Sequence, residues 1–250
     1  MPAHGKSTRV FFDAYETSDY LQDVTIGAQV DAPETSTFGV DDKQYIGGGL
    51  LDGSASLSGF YEAETDIDPT GTTKTWDEFL TGLLGASSAS VVSATYGGDP
   101  DIGNRGRILS GRVTSYEISS PVADVVSSSV DLAGESASGR SGYIIADPDS
   151  TVSATGGLTS VNGGAASSNG GVAHIHVISN TCSGSSSFKL QHSTNDSTFT
   201  DITGGSFTNV SAGAISGQVV EVSGTINQYV RLHVTPGTGN LKMLCVFARR

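Results

Sequence analysis

Alternating apolar and polar positions recur along this chain, and they predict strands. Thr8 to Ala14 (TRVFFDA) reads as a strand with aromatic content. Tyr20 to Val30 carries Leu21, Val24, Ile26, Ala28 and Val30, with clear alternation from Val24 onward. Gly53 to Glu62 alternates next, with Ser54, Ser56 and Ser58 between Ala55, Leu57 and Gly59. Arg107 to Ser119 and Val122 to Leu132 follow, separated by Ser120-Pro121. In the last of these, Val122, Val126, Val130 and Leu132 share one face with Asp124 and Ser128. Ser127, Ser129 and Asp131 share the other with Ala123 and Val125. Such strands bury one face and wet the other, as in an antiparallel sheet.

One segment breaks the two-residue rhythm. Trp76, Phe79, Leu80, Leu83 and Leu84 fall at helical spacing and form one apolar face. Thr75-Trp76-Asp77-Glu78 is a capping box, with Thr75 as N-cap and Glu78 three residues on. Gly85 is placed to stop the helix in a left-handed conformation. About ten residues are too few for an isolated helix, so this one must dock on a sheet.

After Asp147-Pro148-Asp149 the composition shifts. Gly156-Gly157, Gly163-Gly164 and Gly170-Gly171 punctuate a Gly/Ser/Ala/Asn-rich stretch, and a domain boundary is expected there. Residues 1–147 would form one domain and 148–250 a second. Val172 to Ser179, Ser186 to His192, Phe199 to Ile202, Gln218 to Val222, Gln228 to Val234 and Leu241 to Ala248 are strand candidates in the second. Short strands at this spacing predict an all-β fold, with a C-terminal β-sandwich of Ig-like or jelly-roll-like type.

Composition supports this reading. Apolar residues make up 36% and charged residues 16%, the difference being Gly, Ser and Thr, which suit short strands and tight turns. The recurrence of Val, Ile, Leu, Phe and Tyr in strand-length runs argues against disorder. The net charge is −13, without the clustered Lys and Arg that grip phosphates, so tight nucleic-acid binding is not expected. No stretch is long and apolar enough for a membrane span, and no apolar region follows Met1–Lys6, so neither membrane nor secretory signal is expected.

Candidate chemistry is thin. His174-Ile175-His176 with His192 has strand spacing suited to a metal, but no Asp, Glu or Cys stands at a closing position, and solvated histidines explain the pattern better. Cys182 and Cys245 do not make a disulfide framework; Cys245 alternates within an apolar strand and reads as a free buried thiol. The glycine pairs lack the Lys-Ser or Lys-Thr of a phosphate loop. Asp66 with Asp68 and Asp99 with Asp101 sit beside Pro and Gly, where turn chemistry accounts for them. No catalytic set and no cofactor or metal site emerges, so an enzyme is not expected.

Three segments carry a family resemblance. The first is Asp19-Tyr20-Leu21 through Val24, followed by Glu34-Thr35-Ser36-Thr37-Phe38-Gly39 and Tyr45-Ile46-Gly47-Gly48. The second is the helix with Trp76. The third is Gly111-Arg112-Val113-Thr114-Ser115-Tyr116-Glu117, leading to Pro121, Val130, Asp131, Leu132 and Gly134. Together they resemble the major tail tube protein of long-tailed (siphovirus-like) bacteriophages over about 130 residues. The later part, with Phe188–Ser193, Phe199-Thr200-Asp201, Tyr229-Val230-Arg231 and Phe247-Ala248-Arg249, looks like a domain that tail proteins append.

The resemblance implies a tail-tube β-sandwich or barrel with one flanking helix, docked through Trp76, Phe79, Leu80 and Leu83. It implies homohexameric rings stacked into a tube within the virion tail, assembled in the bacterial host cytoplasm. The partners would be other copies of the chain, a tape measure, a tail terminator and a tail tip. DNA would pass through the lumen without specific binding. Glu62, Glu117 and Asp131 become candidates for a lumen-facing acidic surface. Phe38, Asp41, Asp42, Lys43 and Tyr45, in the long Asp31–Gly49 loop, become candidates for ring-to-ring contact. The alternative from another class is a tail-tip, fibre or adhesin module whose sandwich binds host-surface glycans.

Overall fold

The computed structural model describes residues 5–38, 41–46, 51–70, 74–135 and 139–250. Among the described residues the fold is mostly β, with one α-helix and two single-turn 3-10 helices, Gly5–Ser7 and Ser18–Tyr20. Its strands are β1 (Arg9–Phe12), β2 (Tyr15–Glu16), β3 (Leu21–Val30), β4 (Leu51–Phe60), β5 (Ser90–Thr95), β6 (Arg105–Ser119), β7 (Ser127–Gly134) and β8 (Arg140–Ala146). They continue as β9 (Gly156–Gly157), β10 (Val161–Asn162), β11 (Gly171–Asn180), β12 (Ser187–Ser193), β13 (Thr200–Ser206), β14 (Ser216–Val222), β15 (Tyr229–Thr235) and β16 (Leu241–Arg249). The helix α1 is Trp76–Leu83.

One sheet runs β14-β11-β16-β8-β6-β5-β1-β2, and β6 also carries a branch β7-β4-β3. The fifteen-residue β6 makes this possible. Its first half pairs with β5 and β8, and its second half, from Gly111 onward, pairs with β7. A smaller sheet holds β10 and β9 beside β15, then β12 and β13.

Three cores follow from strand alternation. Val10, Phe12, Val92, Ala94 and Leu109 of one sheet region face Ile26, Ala55, Leu57, Val130 and Leu132 of the branch, and α1 adds Trp76, Phe79 and Leu80. The opposite sides of those strands give a second core: Phe11 and Ile108 meet Ile144, Val172, Leu244 and Val246. The third lies between the two sheets, where Ala173, Ile175, Val177, Met243, Cys245 and Phe247 pack on Phe188, Leu190, Leu232 and Val234. Ile145 and Ala146 of β8 belong to this third core. β8 also pairs with β16, Cys245 lying opposite Ala146, so the large sheet runs through the junction at Asp147 without a break.

Several elements differ from the pattern-based expectation. The strand at Thr8–Ala14 ends at Phe12, because Asp13 turns the chain at φ 50° and accepts a 2.7 Å bond from Val91 N through its carboxylate. The strand at Gly53–Glu62 is shifted to Leu51–Phe60. The strand at Val122–Leu132 begins only at Ser127. Pro121 opens a turn there, in which Asp124 N donates to Pro121 O and the Asp124 carboxylate accepts from Val125 N. β5 and β8 were not evident in the alternation. Every residue of β5 is buried, so it shows no polar face to reveal a two-residue period.

Candidate assembly surface

The four strands β3-β4-β7-β6 form an antiparallel sheet with one face on the core and one in solvent. Register places Ser56, Asp131 and Ser115 in one row across the exposed face, and Ser58, Ser129 and Glu117 in the next. Ser115 Oγ donates to Asp131 Oδ2 at 2.8 Å. Thr25 extends the first row onto β3, and Asp23 extends the second. The surface is therefore mostly small-chained and acidic. Glu117 and Asp131 both lie on it. Glu62 lies past the end of β4, in a loop where its carboxylate accepts from the backbone N–H of Glu64 and Thr65. Those two bonds hold its carboxyl below the usual range.

Neither lateral edge of this sheet has a neighbouring strand among the described residues. Among the described residues, β3 pairs only with β4, and the Val113–Ser119 portion of β6 pairs only with β7. Strand order and direction matter here. β3, β4, β7 and β6 alternate in direction, so β6 of one copy would meet β3 of another as an antiparallel pair, and the alternation would continue. The β3 edge is engaged near its middle, where Arg107 Nη1 donates to Ile26 O at 2.6 Å and Gly139 packs closely on Gly27 and Ala28.

Beyond Val30 the chain leaves the sheet as an arm and returns at Leu51. Its two limbs bridge at Glu34 and Tyr45, with Thr35 N donating to Gln44 O at 2.7 Å and Ile46 N donating to Pro33 O at 3.0 Å. Lys43 pairs with Glu34 at 3.2 Å. Phe38, Tyr45 and Ile46 are exposed, as are Asp41, Asp42 and Lys43. Gly39, Val40 and Gly47–Leu50 lie outside the described residues.

The helix backs the sheet. Both halves of the capping box form between Thr75 and Glu78. Trp76, Phe79 and Leu80 are buried and Leu83 is partly buried against the same core. The Trp76 ring stacks on Tyr20 and meets Phe12 edge-on. Tyr116 of β6 donates its hydroxyl to Asp77 at 2.7 Å, tying the first helical turn to the sheet.

The histidines do not converge. His174 and His176 point into the core shared with Phe11 and Ile108, and both are fully buried rather than solvated. His192 stands on the smaller sheet, where its Nδ1 accepts from Asn227 N at 3.3 Å. Among the described residues, no group of three or more His, Cys, Asp or Glu is arranged to hold a metal. Cys182 and Cys245 are both free and buried. Ser93 Oγ of β5 lies within hydrogen-bond reach of both histidines, a contact the alternation pattern does not reveal because β5 itself shows no polar face.

No family model matches this sequence, and no curated protein does. Solved structures give distant likenesses. The chain is similar to one from the virion of a native gene transfer agent particle, with 17% identity and a TM-score of 0.40 over 54% of this chain and 96% of that one. It is similar to the SPP1 Dit protein, described as a paradigm of hub adsorption apparatus in phages infecting Gram-positive bacteria. There the identity is 14% and the TM-score 0.39, over 97% of this chain and 99% of that one. It is also similar to the SPP1 tail tube, with 12% identity and a TM-score of 0.38 over 53% and 76%.

Proposed function

We propose that this chain is a structural component of a bacteriophage tail that assembles as hexameric rings stacked into a tube. The observation that carries this reading is the four-stranded sheet with two unpaired edges and a serine-lined acidic face. Free edges are templates for pairing, and a closed ring removes them. The β6 edge of each copy joins the β3 edge of the next, and the exposed face becomes the wall of a lumen. Glu117 and Asp131 repeat around that wall and repel passing phosphates over the 8–10 Å or so that salt allows. Serine side chains keep the passage wide and offer no sticking point. The arm reaches the next ring. The C-terminal sandwich lies outside the wall, and the tape measure, tail terminator and tail tip are the other partners in the virion.

Light scattering on the eluting protein at rising concentration, with negative-stain microscopy of the same fractions, tests the reading. Six-fold rings and short tubes are expected. A strict monomer at high concentration that also stays out of rings when the other tail proteins are present would sink it.

A further inference from the structure

The chain's own residues occupy the centre of the β3 edge. Ile26 O accepts from Arg107 Nη1 at 2.6 Å, and the Tyr96 hydroxyl meets the backbone of the same residue. Close by, a Cβ placed on Gly139 would lie 2.5 Å from Gly27 O and 2.7 Å from Ala28 Cβ. Gly139 holds a φ of 69°, so a glycine suits this close approach on both counts. Arg107 has no acidic partner to explain its position. Among the described residues no carboxylate forms an ion pair with it, although the chain carries a net charge of −13. Its side chain borders an open groove of about 390 Å³, lined also by Val24, Ile26, Tyr96, Arg105 and Ser141. The guanidinium can therefore swing away from Ile26 without unpacking a core.

We propose that Arg107 guards the β3 edge: its bond to Ile26 O competes with strand pairing by a second copy of the chain, and the edge opens fully only when the guanidinium is displaced. This rests on the ring reading above, in which β3 of one copy meets β6 of another. An arriving strand pairs through a repeating set of N–H and C=O groups. A carbonyl already taken in mid-strand interrupts that set. Charged side chains placed on an edge are a general means of keeping it from pairing indiscriminately. Here the side chain reaches the carbonyl itself, so the protection is a specific bond rather than repulsion. Displacement is close to an even exchange. Arg107 trades a charge-assisted bond for water, and Ile26 O trades it for the neighbour's N–H. Pairing along the rest of the edge then decides the outcome, so the guard raises the concentration at which copies join without weakening the finished ladder.

The test uses the full chain. The concentration at which rings first appear, read by light scattering, should fall about tenfold in Arg107→Met, which keeps an unbranched apolar stem and loses the donor. Arg107→Lys keeps an N–H donor for the one carbonyl and should stay near the wild-type threshold. An unchanged or raised threshold in Arg107→Met would overturn the proposal, as would an equal fall in both variants. The wild type supplies a second measurement that no folding defect can cloud. A reconstruction of its rings should show Ile26 O accepting from a backbone N–H of the neighbouring copy, with Arg107 turned away. Rings in which Arg107 still holds Ile26 O would remove the guard and leave the ring reading standing. If neither the wild type nor Arg107→Met forms rings at any concentration, the ring reading falls and this inference with it.

Discussion

His176 and Ser93 come from opposite halves of the chain and share a 2.7 Å hydrogen bond between Nε2 and Oγ in a fully buried interior. The direction of that bond is fixed. Nδ1 of His176 lies 2.6 Å from the carbonyl oxygen of Asp13, which only accepts, so Nδ1 carries the proton and Nε2 accepts from the serine. His174 adds its Nδ1 at 3.4 Å from the same hydroxyl. One serine on β5 thereby bonds to both histidines of β11.

This network makes the joint acid-sensitive. Burial lowers His176 to about 4 and His174 well below its ordinary value, so both are held neutral. A histidine depressed in the folded state contributes stability that is full above about pH 6.5 and lost as pH falls toward 4, amounting to about 3 kcal/mol for His176. Asp13 opposes it. Burial raises its carboxyl to about 6, so its contribution is present below about pH 3.8 and lost as pH rises through 6. Comparing urea unfolding of the wild type with His176→Gln at each pH isolates the histidine. The gap between the two should shrink steadily from pH 7 to 4, and a constant gap would count against a buried neutral imidazole.

Removing the serine tests the same joint at fixed pH. Ser93→Ala leaves Nε2 of His176 buried without its donor, at a cost of about 1–3 kcal/mol. Urea midpoints at pH 7 measure it, and an unchanged midpoint would show that the bond does not matter.

The helix should be separable into cap and core. Thr75→Ala loses one capping bond and should cost about 1 kcal/mol. Trp76→Ala empties a site shared with Phe12, Tyr20 and Phe79 and should cost about 3–5 kcal/mol. Equal effects would mean that the helix docks by its backbone rather than by its apolar face.

A chain ended at Asp147 lacks β11 and β16, and bares Phe11, Ile108 and Ile144 together with the outer edge of β8. It should aggregate or lose cooperative unfolding. A soluble, cooperatively folded 1–147 fragment would show that the first half closes its second core without help.

Charge reversal examines the proposed lumen. Glu117→Lys with Asp131→Lys changes exposed positions and should leave stability within about 0.5 kcal/mol. Assembled particles of this variant should retain added DNA in a salt-dependent way that the wild type does not. Equal retention by both would place these residues away from the DNA path.

Much of this was legible from pattern alone. The capping box, the helix face and the opposition of Asp131 to Val130 and Leu132 all follow from spacing, because each depends on neighbours a few residues away. β6 was visible for the same reason. β5 was not, since a strand buried on both faces loses its polar alternation, and β8 was not, since only its last three residues, Ile144–Ala146, are continuously buried after the mixed Arg140–Tyr143. The pairing of β8 with β16 joins residues about a hundred positions apart, and no local signal marks it. The histidines misled in one respect. Their i, i+2 spacing gave their shared face correctly, but Ser- and Thr-rich surroundings suggested water, whereas the opposing β1 and β5 supply the cover.

The unbroken passage of β6 through both sheet regions has a mechanical consequence. Its fifteen residues span about 50 Å of continuous covalent backbone, laddered to β8 at one end and to β7 at the other. A load applied to β16 passes to β8 and then to this strand through continuous backbone ladders, and reaches the β3-β4-β7-β6 sheet as shear. The strand is a beam clamped on both sides, so the two ends of the large sheet move together.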